Sequence, residues 1–97
     1  MYEVIIEEHA ALEIEEVYFW YENKLSGLGE KFKEDLDKRI QILYNHPHTF
    51  SFITSLHRRA PLKKFPYFII YRVIEKTVII LSVIYGGRNS EELQSEW

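Results

Sequence analysis

The chain has 97 residues and a formal net charge of −3, from 15 acidic and 12 basic side chains, which leaves room for a single domain spanning 1–97 with one hydrophobic core. With 46% hydrophobic and 28% charged residues it has the composition of a soluble globular protein, and the lack of cysteine excludes disulfide frameworks, thiolate metal sites and cysteine nucleophiles. No run approaches the roughly 18 apolar residues of a membrane span, and MYEVIIEEHA lacks the basic start and apolar stretch of a secretory signal, so a cytoplasmic protein with no membrane partner is expected.

In chain order, Tyr2, Val4 and Ile6 alternate and predict a short strand over residues 2–6. From Glu8 the period lengthens. Ala10, Ile14, Val17, Tyr18 and Tyr21 form one stripe of a helix, with Glu13, Glu15, Glu16 and Glu22 largely away from it. This helix ends between Asn23 and Gly27. Leu28, Phe32, Leu36, Ile40 and Leu43 then mark a second helix, opened at Ser26 or Gly27, with Glu30 placed to back-bond a Gly27 cap. Pro47 ends it, because the residue before a proline is pushed out of helical geometry. The rest predicts strands: a basic one over about 56–64 interrupted by Pro61, then Tyr67–Val73 and Thr77–Tyr85 around a tight turn. The last two are apolar on both faces and belong inside the sheet. Gly86 and Gly87 break the third, and Asn89 or Ser90 caps a short C-terminal helical turn. The order β-α-α-β-β-β predicts an α+β fold: a helical hairpin packed on one face of a small, mainly antiparallel sheet.

Charge is unevenly spread. Residues 1–50 carry eleven acids and five bases, whereas residues 51–97 carry four acids and seven bases. The candidate site is the cluster Arg58, Arg59, Lys63, Lys64, Arg72 and Arg88, most of it in RRAPLKKFPYFIIYR. Alternation along a strand separates Arg59 and Lys63 from Arg58 and Lys64. The plain reading is an edge strand decorated with charge against sheet-to-sheet pairing. The functional reading is a groove for phosphates, with Tyr71 and Tyr85 available to stack on bases. Arg72 shares its face with Phe68 and Ile70, so its cation reaches a groove or pairs with an acid. In an RNA-cleaving site, arginines and lysines would stabilise the pentavalent phosphate while Tyr85, a lysine or His57 moved protons. The four histidines have no metal-ligand spacing, no phosphate-binding glycine loop or nucleophile motif is present, and no metal or cofactor is expected.

The β-α-α start, NHPHTF after the second helix, RRAPLKKFPYFIIYRV and VIILSVIYGGRNSEELQSEW together resemble the RelE/ParE superfamily of type II toxin-antitoxin toxins over nearly the whole chain. The likeness is most specific in LKKFPYFIIYRV. Tyr85 stands where the family often has His, and the first helix opens with Glu7, Glu8 and His9 rather than a Ser or Pro cap. The resemblance implies a bacterial toxin that inhibits growth or stabilises a plasmid and is neutralised by a cognate antitoxin. The charge split and the apolar strands predict that the antitoxin's C-terminal segment covers much of the domain, since an added strand or helix buries such a surface. RelE-like members cut messenger RNA in the ribosomal A site, and ParE-like members inhibit DNA gyrase. The net charge of −3, the lack of an acid between Asn45 and Arg58 and a lone terminal Tyr85 favour the ParE-like reading. Contact with antitoxin or target then falls to Arg58, Arg59, Lys63, Lys64, Arg72, Arg88 and Trp97, with no sequence-specific DNA binding by the chain itself. Catalytic roles for Arg59, Arg72, Tyr85 and Arg88 belong only to the endonuclease reading. A third reading is an inactive interaction module that keeps the fold.

Overall fold

The computed structural model describes residues 1–86, in the order β1 (Glu3–Ile6), α1 (Glu8–Lys24), α2 (Leu28–Asn45), β2 (Arg58–Pro61), β3 (Tyr67–Ile74) and β4 (Thr77–Tyr85). The helical turn expected over 90–97 lies outside these residues. One four-stranded sheet has the order β1-β4-β3-β2. β1 runs parallel to β4, while β2 with β3 and β3 with β4 are antiparallel. The strands apolar on both faces are therefore the inner ones. The α+β prediction holds, with the two helices packed on one face of the sheet.

Four residues of the α2 stripe, Phe32, Leu36, Ile40 and Leu43, are buried against Ala60, Ile69, Tyr71, Val78, Ile80 and Val83 of the sheet. Removing each large side chain from water contributes about 1.5–3 kcal/mol. Tyr21, Phe32, Phe65 and Tyr67 lock together at one end, with ring centroids 4.9–6.2 Å apart. α1 is apolar on more than one side: Ala10, Ile14, Val17 and Tyr21 pack inward while Leu12, Phe19 and Trp20 are exposed.

Three acidic side chains turn to donors within the fold, two of them, Glu13 and Glu22, from positions expected away from the apolar stripe of α1. Glu22 turns toward the loop, where its Oε2 accepts the Gly27 N–H and its Oε1 the Gly29 N–H, each at 2.9 Å. The cap expected from Glu30 is thus supplied from the preceding helix, and Glu30 instead accepts the Tyr18 hydroxyl at 2.6 Å. Gly27 sits at φ 90°, a left-handed conformation that glycine adopts without a Cβ penalty. Glu13 also faces inward: its Oε1 accepts the Ser82 hydroxyl at 2.5 Å and the Val83 N–H at 3.0 Å. Because β1 ends at Ile6, opposite Ile80, β4 continues past its parallel neighbour, and the Glu13 carboxylate stands in for the missing strand. The third, Asp35, is 5% exposed, and its Oδ2 accepts the backbone N–H groups of Lys64 at 2.8 Å and Phe65 at 2.9 Å.

The basic strand expected over 56–64 is only four residues long. Pro61 has no N–H for the ladder, and the Lys64 and Phe65 amides go to Asp35, so Lys63 and Lys64 belong to a turn closed by Leu62 N–H to Tyr67 O at 2.9 Å. The β3-β4 turn is Glu75-Lys76, with Glu75 itself left-handed at φ 54°. Leu81 lies at a bulge, since Ile70 opposes Ser82 but Tyr71 opposes Ile80.

Tyr71 is fully buried, and its hydroxyl donates to Pro47 O at 2.6 Å, tying the end of α2 to the sheet. Burial pushes its pKa up to about 12 against a small opposing effect of Arg58, and burial likewise raises Tyr67 to about 12, with Tyr21 adding to it. A folded pKa above the unfolded value of 10.0 means full stability below pH 10 and a loss as pH rises through 12. Titration at 295 nm is expected to show these phenols ionising late, together with alkaline unfolding between pH 10 and 12. Ordinary ionisation of both near pH 10 with the fold intact would contradict this placement.

Candidate functional site

Alternation along β2 and β3 divides the basic residues between two faces. Ala60, Ile69 and Tyr71 point at the helices, so Arg59, Phe68, Ile70 and Arg72 occupy the opposite, outer face. Arg59 lies over the Phe68 ring, 4.8 Å from its centroid. Arg72 opposes Ile79 and reaches a small cleft of about 220 Å³, which His48, Phe52 and Arg58 help to line. Of the two fates foreseen for the Arg72 cation, the groove is the one found among the described residues. Arg58 is occupied internally: it donates to Phe50 O at 2.7 Å and His48 O at 3.2 Å and covers the Phe52 ring at 3.8 Å. It pins the long connection between α2 and β2 to the edge strand.

The aromatic residues expected beside these cations are placed differently. Tyr71 is 0% exposed and unavailable to stack on a base, because its partner in register, Arg58, and the Pro47 carbonyl enclose it. Tyr85 is 60% exposed and opposes Tyr67, with the two rings 5.7 Å apart edge to face. Since Tyr67 packs on Tyr21 and Phe32 of the helices, Tyr85 stands on the helix side of the sheet, away from Arg59 and Arg72. His57 is bound within its own turn, its Nδ1 2.8 Å from Thr54 Oγ1. Arg88 and Trp97 lie outside the described residues.

Lys63 and Lys64 are exposed and belong to a third place, a cleft of about 620 Å³ between α2 and the 62–66 turn. Lys31, Lys38 and Arg39 of α2 form the facing wall. None of these three is among the residues singled out from the sequence. Their signal was the spacing: Lys31 and Lys38 are seven residues apart, two turns of the same stripe. Among the described residues no three metal-ligating side chains converge, and no helix is long and apolar enough to cross a membrane.

Solved structures with this arrangement include a chain described as the chromosomal ParDE TA system from P. aeruginosa. It is 18% identical, with 88% of this chain and 96% of that chain covered at a TM-score of 0.78. The isolated E. coli RelE toxin is 23% identical over the whole of both chains, with a TM-score of 0.66. At such identities these two matches speak for the fold alone. Direct comparison with curated proteins finds no match. Residues 4–90 match the family described as ParE toxin of type II toxin-antitoxin system, parDE. The chain therefore belongs to the ParE toxin family, within the RelE/ParE superfamily, and is a toxin of the type II toxin-antitoxin class.

Proposed function

We propose that this toxin acts by binding rather than by cutting RNA, that its target is DNA gyrase, and that a cognate antitoxin neutralises it. The observation that carries the choice of binding over cleavage is the sheet register, which puts Tyr85 on the helix side and Arg59 and Arg72 on the outer face. General acid-base catalysis needs its proton-transfer group within about 3 Å of the atom it serves, beside the cations that stabilise the phosphate. Tyr85 and the arginines Arg59 and Arg72 are on different sides of the sheet. The family match supports gyrase as the target by analogy. The contact surface in this reading is the outer face, where Arg59 and Arg72 flank Phe68, Ile79 and Ile84, with Arg88 and Trp97 following in the chain. Cations over an apolar sheet suit a protein partner, because arginine and aromatic anchors dominate such interfaces.

The test pairs two reactions with a growth assay. Added to gyrase, the purified chain is expected to inhibit supercoiling. Added to ribosomes programmed with message, it is expected to leave the message uncut. Arg59→Ala with Arg72→Ala should weaken gyrase inhibition by about tenfold, as for one interfacial hot spot. Coexpression of the neighbouring open reading frame should restore growth. A-site cleavage lost on Tyr85→Phe would establish the endonuclease reading instead, and induction without growth arrest would establish the inactive module.

A further inference from the structure

The cleft between α2 and the 62–66 turn combines features that the gyrase reading does not use. Lys31, Lys38 and Arg39 face Lys63 and Lys64 across about 620 Å³. Against these five cations the lining holds two carboxylates, Glu34 and Asp35. Asp35 is buried with its Oδ2 accepting two backbone N–H groups, so it organises the turn rather than meeting a lysine. None of the five cations comes within 4.0 Å of a carboxylate among the described residues, where the one such contact is His9 Nε2 to Glu13 Oε2 at 3.4 Å. A local surplus of positive charge thus stands in a chain whose net charge is −3.

Arg39 is the second observation. Its Nε is buried and has no hydrogen-bond partner, and its guanidinium is held over the Phe50 ring, 5.1 Å from the centroid. Stacking rather than an acceptor therefore orients the donor fork. A planar fork presented this way matches two oxygens of one anionic group, and neighbouring lysines add point charges around it. The walls are comparably fixed. Lys31 and Lys38 are two turns apart on one helix, about 10 Å along its axis, and Lys63 and Lys64 ride on a turn bolted to Asp35.

The geometry points to a binding site for a phosphate-bearing polyanion in this cleft. Its volume falls within the roughly 300–1,000 Å³ of small-ligand pockets. Phosphate is favoured over an acidic peptide because five cations converge on the cleft, with the Arg39 fork able to meet two oxygens of one group, while Ile42 and Phe65 are its only two hydrophobic residues. The site lies on a different surface from Arg59 and Arg72, so it stands or falls independently of gyrase.

Calorimetric titration of the purified full chain with inorganic tripolyphosphate, and separately with a short single-stranded oligonucleotide, tests this. One-to-one binding of tripolyphosphate is expected. The exposed triple variant K38Q/K63Q/K64Q should weaken it at least tenfold while circular dichroism and Tm stay unchanged, and Arg59→Gln on the outer face should have no effect. For the oligonucleotide, the slope of log K against log salt should fall by about 0.7 for each lysine removed. Tighter binding of tripolyphosphate assigns a free phosphate ligand and tighter binding of the oligonucleotide a nucleic-acid backbone, and both support the site. It is overturned if neither binds, if binding survives the triple variant, if Arg59→Gln abolishes it, or if a glutamate-rich peptide binds more tightly than either.

Discussion

Asp35→Ala is expected to lower the unfolding free energy by about 3–5 kcal/mol, the largest effect of any single acidic residue in the described chain. The carboxylate is 5% exposed and accepts two short backbone hydrogen bonds, from Lys64 and Phe65. Bonds to a charged acceptor contribute about 1.5–3 kcal/mol each, and removing the acceptor strands both N–H groups where water reaches them poorly. Against a typical total of about 5–15 kcal/mol, the variant would be marginally folded. Asp35→Asn keeps an acceptor oxygen and loses the charge, so about half the effect is expected. Urea denaturation followed by circular dichroism measures both. A loss below about 1 kcal/mol for the alanine variant would show that packing of Phe65 into the Tyr21-Phe32-Tyr67 cluster holds the turn without Asp35.

Gly29→Ala should cost about 2 kcal/mol or more despite alanine's better helix propensity. A Cβ at this buried position would lie 2.6 Å from the Tyr18 carbonyl oxygen and 2.9 Å from Glu22 Oε1. The first neighbour is backbone of α1, so the helices must separate. The second is the carboxylate capping α2, so the Gly27 and Gly29 amides lose their acceptor. Overpacking costs about 1–3 kcal/mol and a lost charge-assisted bond about 1.5–3, against a gain of about 1 from replacing a helical glycine. Gly27→Ala is the comparison: its Cβ meets nothing, and only the left-handed backbone at φ 90° is penalised, by about 1–2 kcal/mol. Thermal melts should therefore place Gly29→Ala below Gly27→Ala. The reverse order would mean that the helix crossing is looser than the geometry states.

The order of elements was readable because each has its own period. Phe32, Leu36, Ile40 and Leu43 repeat at helical spacing and are all buried, and the two strands apolar on both faces are the inner pair. What misled were residues whose partners are distant in the chain. Glu13 and Glu22 look like solvated helix positions, yet they serve β4 and the α1-α2 loop. Tyr71 looks like a stacking platform next to arginines, yet its hydroxyl meets a carbonyl 24 residues away. Lys63 and Lys64 look like strand residues until Asp35, about 30 positions earlier, claims the amides that a ladder would need.

The site follows the same division. Period, proline and charge counts along the chain are local quantities, and they suffice to find a basic segment, a helical hairpin and the family resemblance in LKKFPYFIIYRV. Which cations share a surface is not local. It depends on the register of β2 against β3 and on where α2 crosses the turn, and these are set by burial of one sheet face and by the Asp35 bonds. One apparent cluster is thereby split in three: Arg58 spent on carbonyls, Arg59 and Arg72 on the outer face, and Lys63 and Lys64 joined by three α2 cations that no linear pattern places beside them.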